Sequence, residues 1–148
     1  MTYKNKTSHI LIVLFVFIVL IGCSKENMQS IDFRSLSIRP ACDGSVLKSS
    51  TNKEETLIIT SEQMFAKEFG CLTTAPEIDF KTHFVLAGRV AFNNCASLKE
   101  EVIIEENNTL NYRVQIQQAN CTALDTVYFS AALPIRYKDH QINFEIKY

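Results

Sequence analysis

Three side chains capable of acid–base chemistry lie close together in the sequence. Glu77, Asp79 and His83 fall in a segment that leads from a loop into a strand. A carboxylate beside an imidazole can work as an acid–base pair, and the three groups together offer metal ligands. A metal site needs three or four convergent ligands, and no spacing points to a fourth. The alternative is a solvated loop with ordinary charges, so we predict no metal and no catalytic residue here.

The chain lacks the short motifs that mark common enzymes. It has no Gly-x-Ser-x-Gly, no His-Glu-x-x-His and no glycine-rich phosphate loop. Only four glycines occur in 148 residues, which leaves little material for a phosphate cradle. We therefore expect a protein that is not an enzyme and needs no cofactor.

Four cysteines are spread along the last two thirds of the chain: Cys42, Cys71, Cys95 and Cys121. None belongs to a Cys-x-x-Cys pair, which disfavours a zinc ribbon or a thioredoxin-like redox site. An even number of cysteines in an exported protein indicates two disulfides, for which three connectivities are possible. The alternative is four free, buried thiols.

The N-terminus has the organisation of an export signal. Lys4 and Lys6 form a short basic region, and an unbroken apolar run covers residues 10–21. Twelve apolar residues are too few for a comfortable membrane span, which needs about 20, and they suit the core of a signal peptide. The run is followed by Gly22, a small residue suited to cleavage, and by a fifth cysteine, Cys23.

Leu20-Ile21-Gly22-Cys23 resembles the lipobox of bacterial lipoproteins. The resemblance implies that residues 1–22 are removed and that the Cys23 thiol carries a diacylglyceryl group, whose two chains suffice for stable anchoring. The alternative is an ordinary signal peptide in which Cys23 is incidental. With a lipobox, residues 23–30 form a lipidated tether and residues 31–148 a single β-rich domain.

The lipobox also implies a location in the bacterial cell envelope. Ser24 follows the cysteine, where an aspartate would signal retention at the inner membrane. We therefore expect the outer membrane, on its periplasmic or its surface side.

The charge of the chain argues against nucleic acid as a partner. Residues 1–22 hold two of the 15 Lys and Arg and none of the 16 Asp and Glu, so the remaining 126 residues have a net charge of −3. Binding to a phosphate backbone requires a clearly basic domain. The expected partners are the membrane, through the lipid anchor, and a protein.

Hydrophobic patterning predicts an α+β fold with a mostly antiparallel sheet of five to seven strands and one short helix near 61–69. Thr60 and Gln63 fit a capping box before Phe65 and Phe69. Asn107-Asn108 predicts a hairpin turn. Strands are predicted near residues 31–38, 56–60, 84–92, 101–106, 110–117, 125–133 and 142–148.

Two features of these strands carry further expectations. Gly88, inside the central strand, indicates a bulge or a close backbone approach. Glu100-Glu101 and Glu105-Glu106 flank the apolar residues 102–104. They are expected to keep a sheet edge from aggregating, the alternative being that they bind a cation.

Strand direction favours one disulfide pairing. Between residues 84 and 118 successive strands are expected to reverse direction. Cys95 and Cys121 would then both follow strands that run the same way, and so lie at one end of the sheet. This favours Cys95–Cys121 and leaves Cys42–Cys71.

Part of the domain is similar to the exported domains of the B-type protease-complex family. A strand leads into a helix that carries Ser61, Glu62 and Phe65, and a loop then reaches Asp79-Phe80 before a central strand. The family often has a Gly-Gly-Tyr-type turn after that strand, where this chain has Asn93-Asn94-Cys95. The resemblance implies a noncatalytic domain that assists or binds another protein, and it transfers no catalytic residue.

Three functions remain open on the sequence. The first is a membrane-anchored, noncatalytic lipoprotein domain that binds a protein partner or a cell-surface component. The second is a small envelope hydrolase that uses Asp79 and His83. The third is a purely structural envelope protein, in which Tyr112, Tyr128 and Tyr137 would be exposed aromatics without a binding role.

Overall fold

Two four-stranded sheets pack face to face in the computed structural model of the chain, which describes residues 28–40 and 42–148. The strands are β1 (Gln29–Ser30), β2 (Arg34–Ser35), β3 (Glu54–Ile59), β4 (His83–Phe92), β5 (Cys95–Glu106), β6 (Thr109–Ala119), β7 (Asp125–Pro134) and β8 (Gln141–Lys147). The helices are α1 (Val46–Ser49) and α2 (Glu62–Phe69), and a 3₁₀ turn spans Ile135–Tyr137. The predicted β-rich fold with one short helix near 61–69 and two disulfides is confirmed.

The strands divide between two sheets, where the patterning predicted one. Sheet A has the order β1-β5-β6-β8 and sheet B the order β2-β7-β4-β3. The chain changes sheets at Asn93-Asn94, between β4 and β5, so these two consecutive strands are not neighbours. All pairs are antiparallel except β6 with β8, which are parallel. Alternation reports which residues face a core, but it does not report which strand lies next to which.

The main core lies between the inner faces of the two sheets. From sheet B it takes alternate residues of β4 and β7, and from sheet A alternate residues of β6. Its buried members are Ile31, Phe84, Leu86, Val90, Phe92, Ile103, Leu110, Tyr112, Val114, Ile116, Val127, Phe129, Ala131, Leu133 and Tyr137. Tyr112 is fully buried and Tyr137 nearly so, so the expectation that both are exposed is wrong.

A second core lies between the other face of sheet B and the helices. Its centre is formed by Phe65 and Phe69 of α2, whose rings are 5.1 Å apart, with Leu47 of α1. The predicted Phe65–Phe69 face of the helix is thus confirmed as core. The helix begins one residue later than predicted, because Ser61 and not Thr60 accepts the backbone N–H of Met64.

Gly88 sits where two elements come close, as predicted, and not at a bulge. It pairs with Phe129 across β4 and β7. A β-carbon at this position would overlap the Phe129 ring and would lie 2.8 Å from the carbonyl oxygen of Glu55. The absence of a side chain lets the Phe129 ring lie over the strand and fill the core.

The long strands give the sandwich two distinct ends. The chain enters at Gln29, which pairs with Glu105 beside the turn at Asn107 and Asn108. Both asparagines have positive φ, which confirms the predicted turn. We call this the entry end. The opposite end carries Cys95 and the last residues of β4, β6 and β8, and we call it the Cys95 end.

A bulge in β5 turns one carboxylate into the sandwich. The register with β6 shifts between Leu98 and Glu100, so Glu101 shares the inner face with Leu98. Its two carboxylate oxygens accept hydrogen bonds from the Tyr112 hydroxyl in sheet A and, at 2.6 Å, from the Ser35 hydroxyl in sheet B. Glu101 therefore links the two sheets and does not protect an edge.

Burial and the neighbouring Glu101 carboxylate raise the pKa of Tyr112 far above its ordinary value. The fold thus keeps the hydroxyl protonated where the unfolded chain would lose its proton, above about pH 10. The native state then binds more protons than the unfolded state, and stability falls as pH rises. Tyr112 should contribute a slope of about −1.4 kcal/mol per pH unit to the free energy of unfolding above that pH.

Urea unfolding between pH 9 and 11 would measure this slope. Tyr112→Phe should be less stable at neutral pH but should lose the Tyr112 part of the alkaline slope. Tyr128→Phe, which removes a hydroxyl from a half-buried tyrosine on the other face of sheet B, should keep it. Equal slopes in the wild type and in Tyr112→Phe would contradict the expected result.

Candidate functional site

The predicted lipidation site, Cys23 in the segment Leu20–Cys23, lies outside the residues that the structure describes. So does the predicted signal peptide, residues 1–22. Gln29 and Ser30, which the sequence assigned to the tether, pair with Glu105 and Ile104 of β5. The chain between Cys23 and the fold is therefore only a few residues long.

Both predicted disulfides are present, with the predicted pairing. Cys42–Cys71 joins the turn before α1 to the residue after Gly70, and its Cα atoms are 5.1 Å apart. Cys95–Cys121 joins the start of β5 to the loop after β6, with a Cα separation of 5.5 Å. In each pair the backbone N–H of one cysteine also donates to the sulfur of the other.

Asp79 and His83 lie in the same exposed turn and are linked through a third side chain. The Thr82 hydroxyl lies 3.0 Å from Asp79 Oδ2 and 2.9 Å from His83 Nδ1. The other carboxylate oxygen of Asp79 accepts the backbone N–H of Lys81 at 3.0 Å. These two hydrogen bonds, the one from Lys81 first, hold the pKa of Asp79 below its ordinary value.

This arrangement is that of an aspartate that caps its own turn. The backbone N–H groups of Thr82 and His83 both donate to the Asp79 carbonyl, which closes the turn that leads into β4. A general acid or base at neutral pH needs a pKa shifted toward 7, and Asp79 is shifted the other way. Glu77 contributes its backbone carbonyl to Arg34, at 3.1 Å. The described part of the chain contains no group of three or more His, Cys, Asp or Glu placed to hold a metal ion.

The acidic residues of β5 have separate roles. Glu101 faces the interior, and Glu105 lies 3.1 Å from His140 Nε2 in a partly buried pair at the entry end. Glu100 lies on the outer face of sheet A, beside the row in which Arg113 pairs with Glu145 at 2.7 Å. The four carboxylates therefore do not form one cation site.

An open groove of about 560 Å³ lies at the Cys95 end, between the ends of the two sheets. Alternation places Phe92 of β4 and Gln118 of β6 on the facing inner sides of sheets B and A. The groove is lined by Thr51, Lys53, Ala91, Phe92, Asn93, Asn94 and Gln118. We call it the end groove. Its volume is within the range of small-ligand sites, about 300–1,000 Å³.

The polar side chains of the end groove are held by contacts with one another and with the C-terminal residue. Asn94 Nδ2 donates to Gln118 Oε1 at 3.1 Å. Lys53 Nζ donates to the Tyr148 hydroxyl at 2.9 Å and lies 4.3 Å from the centre of its ring. Tyr148 is half exposed and meets the buried ring of Phe92 edge to face. The groove thus has an amide pair on one side and a lysine–tyrosine pair on another.

Sequence patterning did not find this groove. Asn93-Asn94 was predicted only as a turn, and Lys53 as part of a polar loop. The lining residues come from three separate stretches of the chain, which meet only because β4 and β6 end at the same end of different sheets. No local spacing carries that information.

Comparison of the chain with protein-family models, with curated proteins and with solved structures finds no match. Within residues 28–40 and 42–148, no helix has the length and apolar content needed to cross a membrane.

Removing the Cys95–Cys121 bond should destabilise the fold without changing it. The bond closes a loop with a sequence separation of 26 residues, for which the loss of unfolded-chain entropy is worth about 3.5 kcal/mol. We expect the double variant Cys95→Ala, Cys121→Ala to lose that amount in urea unfolding. Cys42→Ala, Cys71→Ala is the matched comparison, because its separation of 29 residues is nearly the same. A loss below about 1 kcal/mol would show that the ends of β5 and β6 are held by their own pairing.

Proposed function

We propose that the protein is a lipoprotein of the bacterial cell envelope, anchored through Cys23, whose β-sandwich is a noncatalytic binding module. Its target is a protein partner or a cell-surface component. The expected membrane is the outer membrane, on its periplasmic or its surface side. Two disulfides in the fold support an oxidising compartment outside the cytoplasm.

The observation that carries the proposal is the polarity of the sandwich. The fold begins at Gln29, six residues after Cys23, and six residues reach at most about 20 Å. The eleven-residue strand β6 spans about 36 Å from the entry end to the Cys95 end. An anchor at Cys23 would hold the entry end near the membrane, and the end groove would face away from it. Such a geometry suits a module that presents one end to a partner.

Crosslinking and capture of the intact protein from native membranes tests this function. We expect one stoichiometric partner that is lost in Cys23→Ala and kept in Ser24→Ala, which leaves the anchoring cysteine in place. A photo-crosslinking residue at the exposed position Asn93, at the Cys95 end, should capture the partner. The same residue at Asp139, exposed at the entry end, should not. No capture from any form would overturn the proposed function.

The hydrogen-bonded chain Asp79–Thr82–His83 favours a second candidate, a small hydrolase. A hydroxyl 2.9 Å from an imidazole nitrogen has the spacing of a nucleophile and its base. Against this candidate, Asp79 is bound to Lys81 N and Thr82 Oγ1 of its own turn and lies on the surface.

Assays of the intact protein with chromogenic ester, peptide and glycoside substrates separate the two candidates. We expect no turnover, and we expect His83→Ala to capture the same partner as the wild type. Turnover that is lost in both Thr82→Val and His83→Ala would establish the hydrolase and overturn the binding module. Glu77→Gln is the control, because only the backbone of Glu77 takes part in the contact with Arg34.

A further inference from the structure

We propose that the end groove binds an acidic oligosaccharide. The inference deepens the proposed function, since it takes the Cys95 end as the binding end and names the chemical class of its ligand. It is carried by the side chains that line the groove, by how they are held and by their charge.

The amide groups of the groove match the hydroxyl groups of a sugar. A side-chain amide offers an acceptor and a donor side by side, and each sugar hydroxyl can donate and accept. Because Asn94 Nδ2 donates to Gln118 Oε1, Asn94 Oδ1 remains as an acceptor and Gln118 Nε2 as a donor. The hydrogen bond fixes the two amides relative to each other, so they can meet two neighbouring hydroxyls together. Asn93 and Thr51 add a further amide and a hydroxyl to the lining.

Tyr148 supplies an aromatic surface at the same place. Half of this side chain is exposed, and its ring is held by the Phe92 edge and by the Lys53 ammonium group. A partly exposed ring of this kind has an apolar face and a polar hydroxyl. The apolar C–H face of a pyranose can pack on such a ring while its hydroxyls reach the amides.

The charge of the lining favours an acidic sugar over a neutral one. Lys53 is the charged residue among the seven that line the groove. Asp125, which pairs with Phe92 across β4 and β7, is engaged by the backbone N–H groups of Ala96 and Thr126. An ammonium group has three donors, and the Tyr148 hydroxyl uses one. The other two can bind a sugar carboxylate.

The walls of the groove are fixed before any ligand arrives. Cys95–Cys121 ties the residue after Asn94 to the loop that follows β6. Lys53 is joined to the floor, because the backbone N–H of Ala91 donates to its carbonyl at 2.8 Å. A preformed site loses less conformational entropy on binding. These contacts therefore favour a small, rigid ligand over a folding peptide.

Isothermal titration of the intact protein in nanodiscs tests the inference with three probes. They are a tetrasaccharide of alternating glucuronic acid and N-acetylglucosamine, a neutral tetrasaccharide of N-acetylglucosamine, and tetraglutamate. We expect the acidic tetrasaccharide to bind about fivefold tighter than the neutral one, the ratio of one exposed ion pair. Tetraglutamate, which has the charge but not the hydroxyls, should not bind.

Gln118 and Gln117 form the matched pair of variants. Gln118 lines the groove, whereas Gln117, the next residue of β6, points to the opposite face of sheet A. Gln118→Ala should weaken binding of the acidic tetrasaccharide about fivefold, the effect of one lost hydrogen-bonding group. Gln117→Ala should leave it unchanged. Lys53→Gln should make the acidic and neutral probes bind alike, and Tyr148→Leu, which keeps an apolar side chain on Phe92, should weaken both.

Three results would overturn the inference: no binding of the acidic tetrasaccharide, binding of tetraglutamate as tight as that of the tetrasaccharide, or equal effects of Gln118→Ala and Gln117→Ala. Capture of a protein through Asn93 without binding of any tetrasaccharide would overturn the sugar ligand and keep the binding module. Tetrasaccharide binding without capture from membranes would support the sugar ligand and leave the protein-partner arm of the proposed function without support.

Discussion

The helical layer of this protein depends on a buried carboxylate at the start of a four-residue helix. Glu68 of α2 is buried and accepts hydrogen bonds from the Ser45 hydroxyl at 2.5 Å and from the backbone N–H groups of Val46 and Leu47 at 3.1 Å each. At the other end of α1, the buried Arg89 donates to the Ser50 carbonyl at 2.6 Å. A helix of one turn cannot sustain itself. Opposite charges at its two ends satisfy its free backbone groups and complement its dipole.

These two charges explain why the sequence did not reveal α1. Residues 45–50 are mostly small or polar, and the residues after Ser49 were read as a mobile loop. The groups that stabilise the helix lie on α2 and on β4, 23 and 39 residues away in the contacts from Ser45 and Ser50. Elements whose stability is contained in their own pattern were predictable. The helix at 62–69 and the alternating strands β6, β7 and β8 belong to this group, since their periodicity alone defines their buried faces.

The division into two sheets has a similar cause. A turn at Asn93-Asn94 can join neighbours in one sheet or carry the chain across to another, and its sequence is the same in both cases. The bulge between Leu98 and Glu100 is equally silent, yet it turns Glu101 inward to bind Tyr112 and Ser35. Without it, Glu101 would lie outside, as the sequence suggested. The disulfide pairing was predictable because the β5–β6 hairpin brings Cys95 and Cys121 together whether the chain forms one sheet or two.

The end groove follows from the sandwich and from nothing shorter. Two sheets that pack face to face leave their last inner residues without a partner layer, and at the Cys95 end these are Phe92 and Gln118. Apolar side chains there would expose a patch to water, whereas amides and a lysine over a tyrosine remain solvated and still present an ordered surface. The same residues that make this end soluble therefore give it hydrogen-bonding groups in fixed positions. A binding role needs no further structural device, and the opposite end, where the chain enters, is free to stay near an anchor.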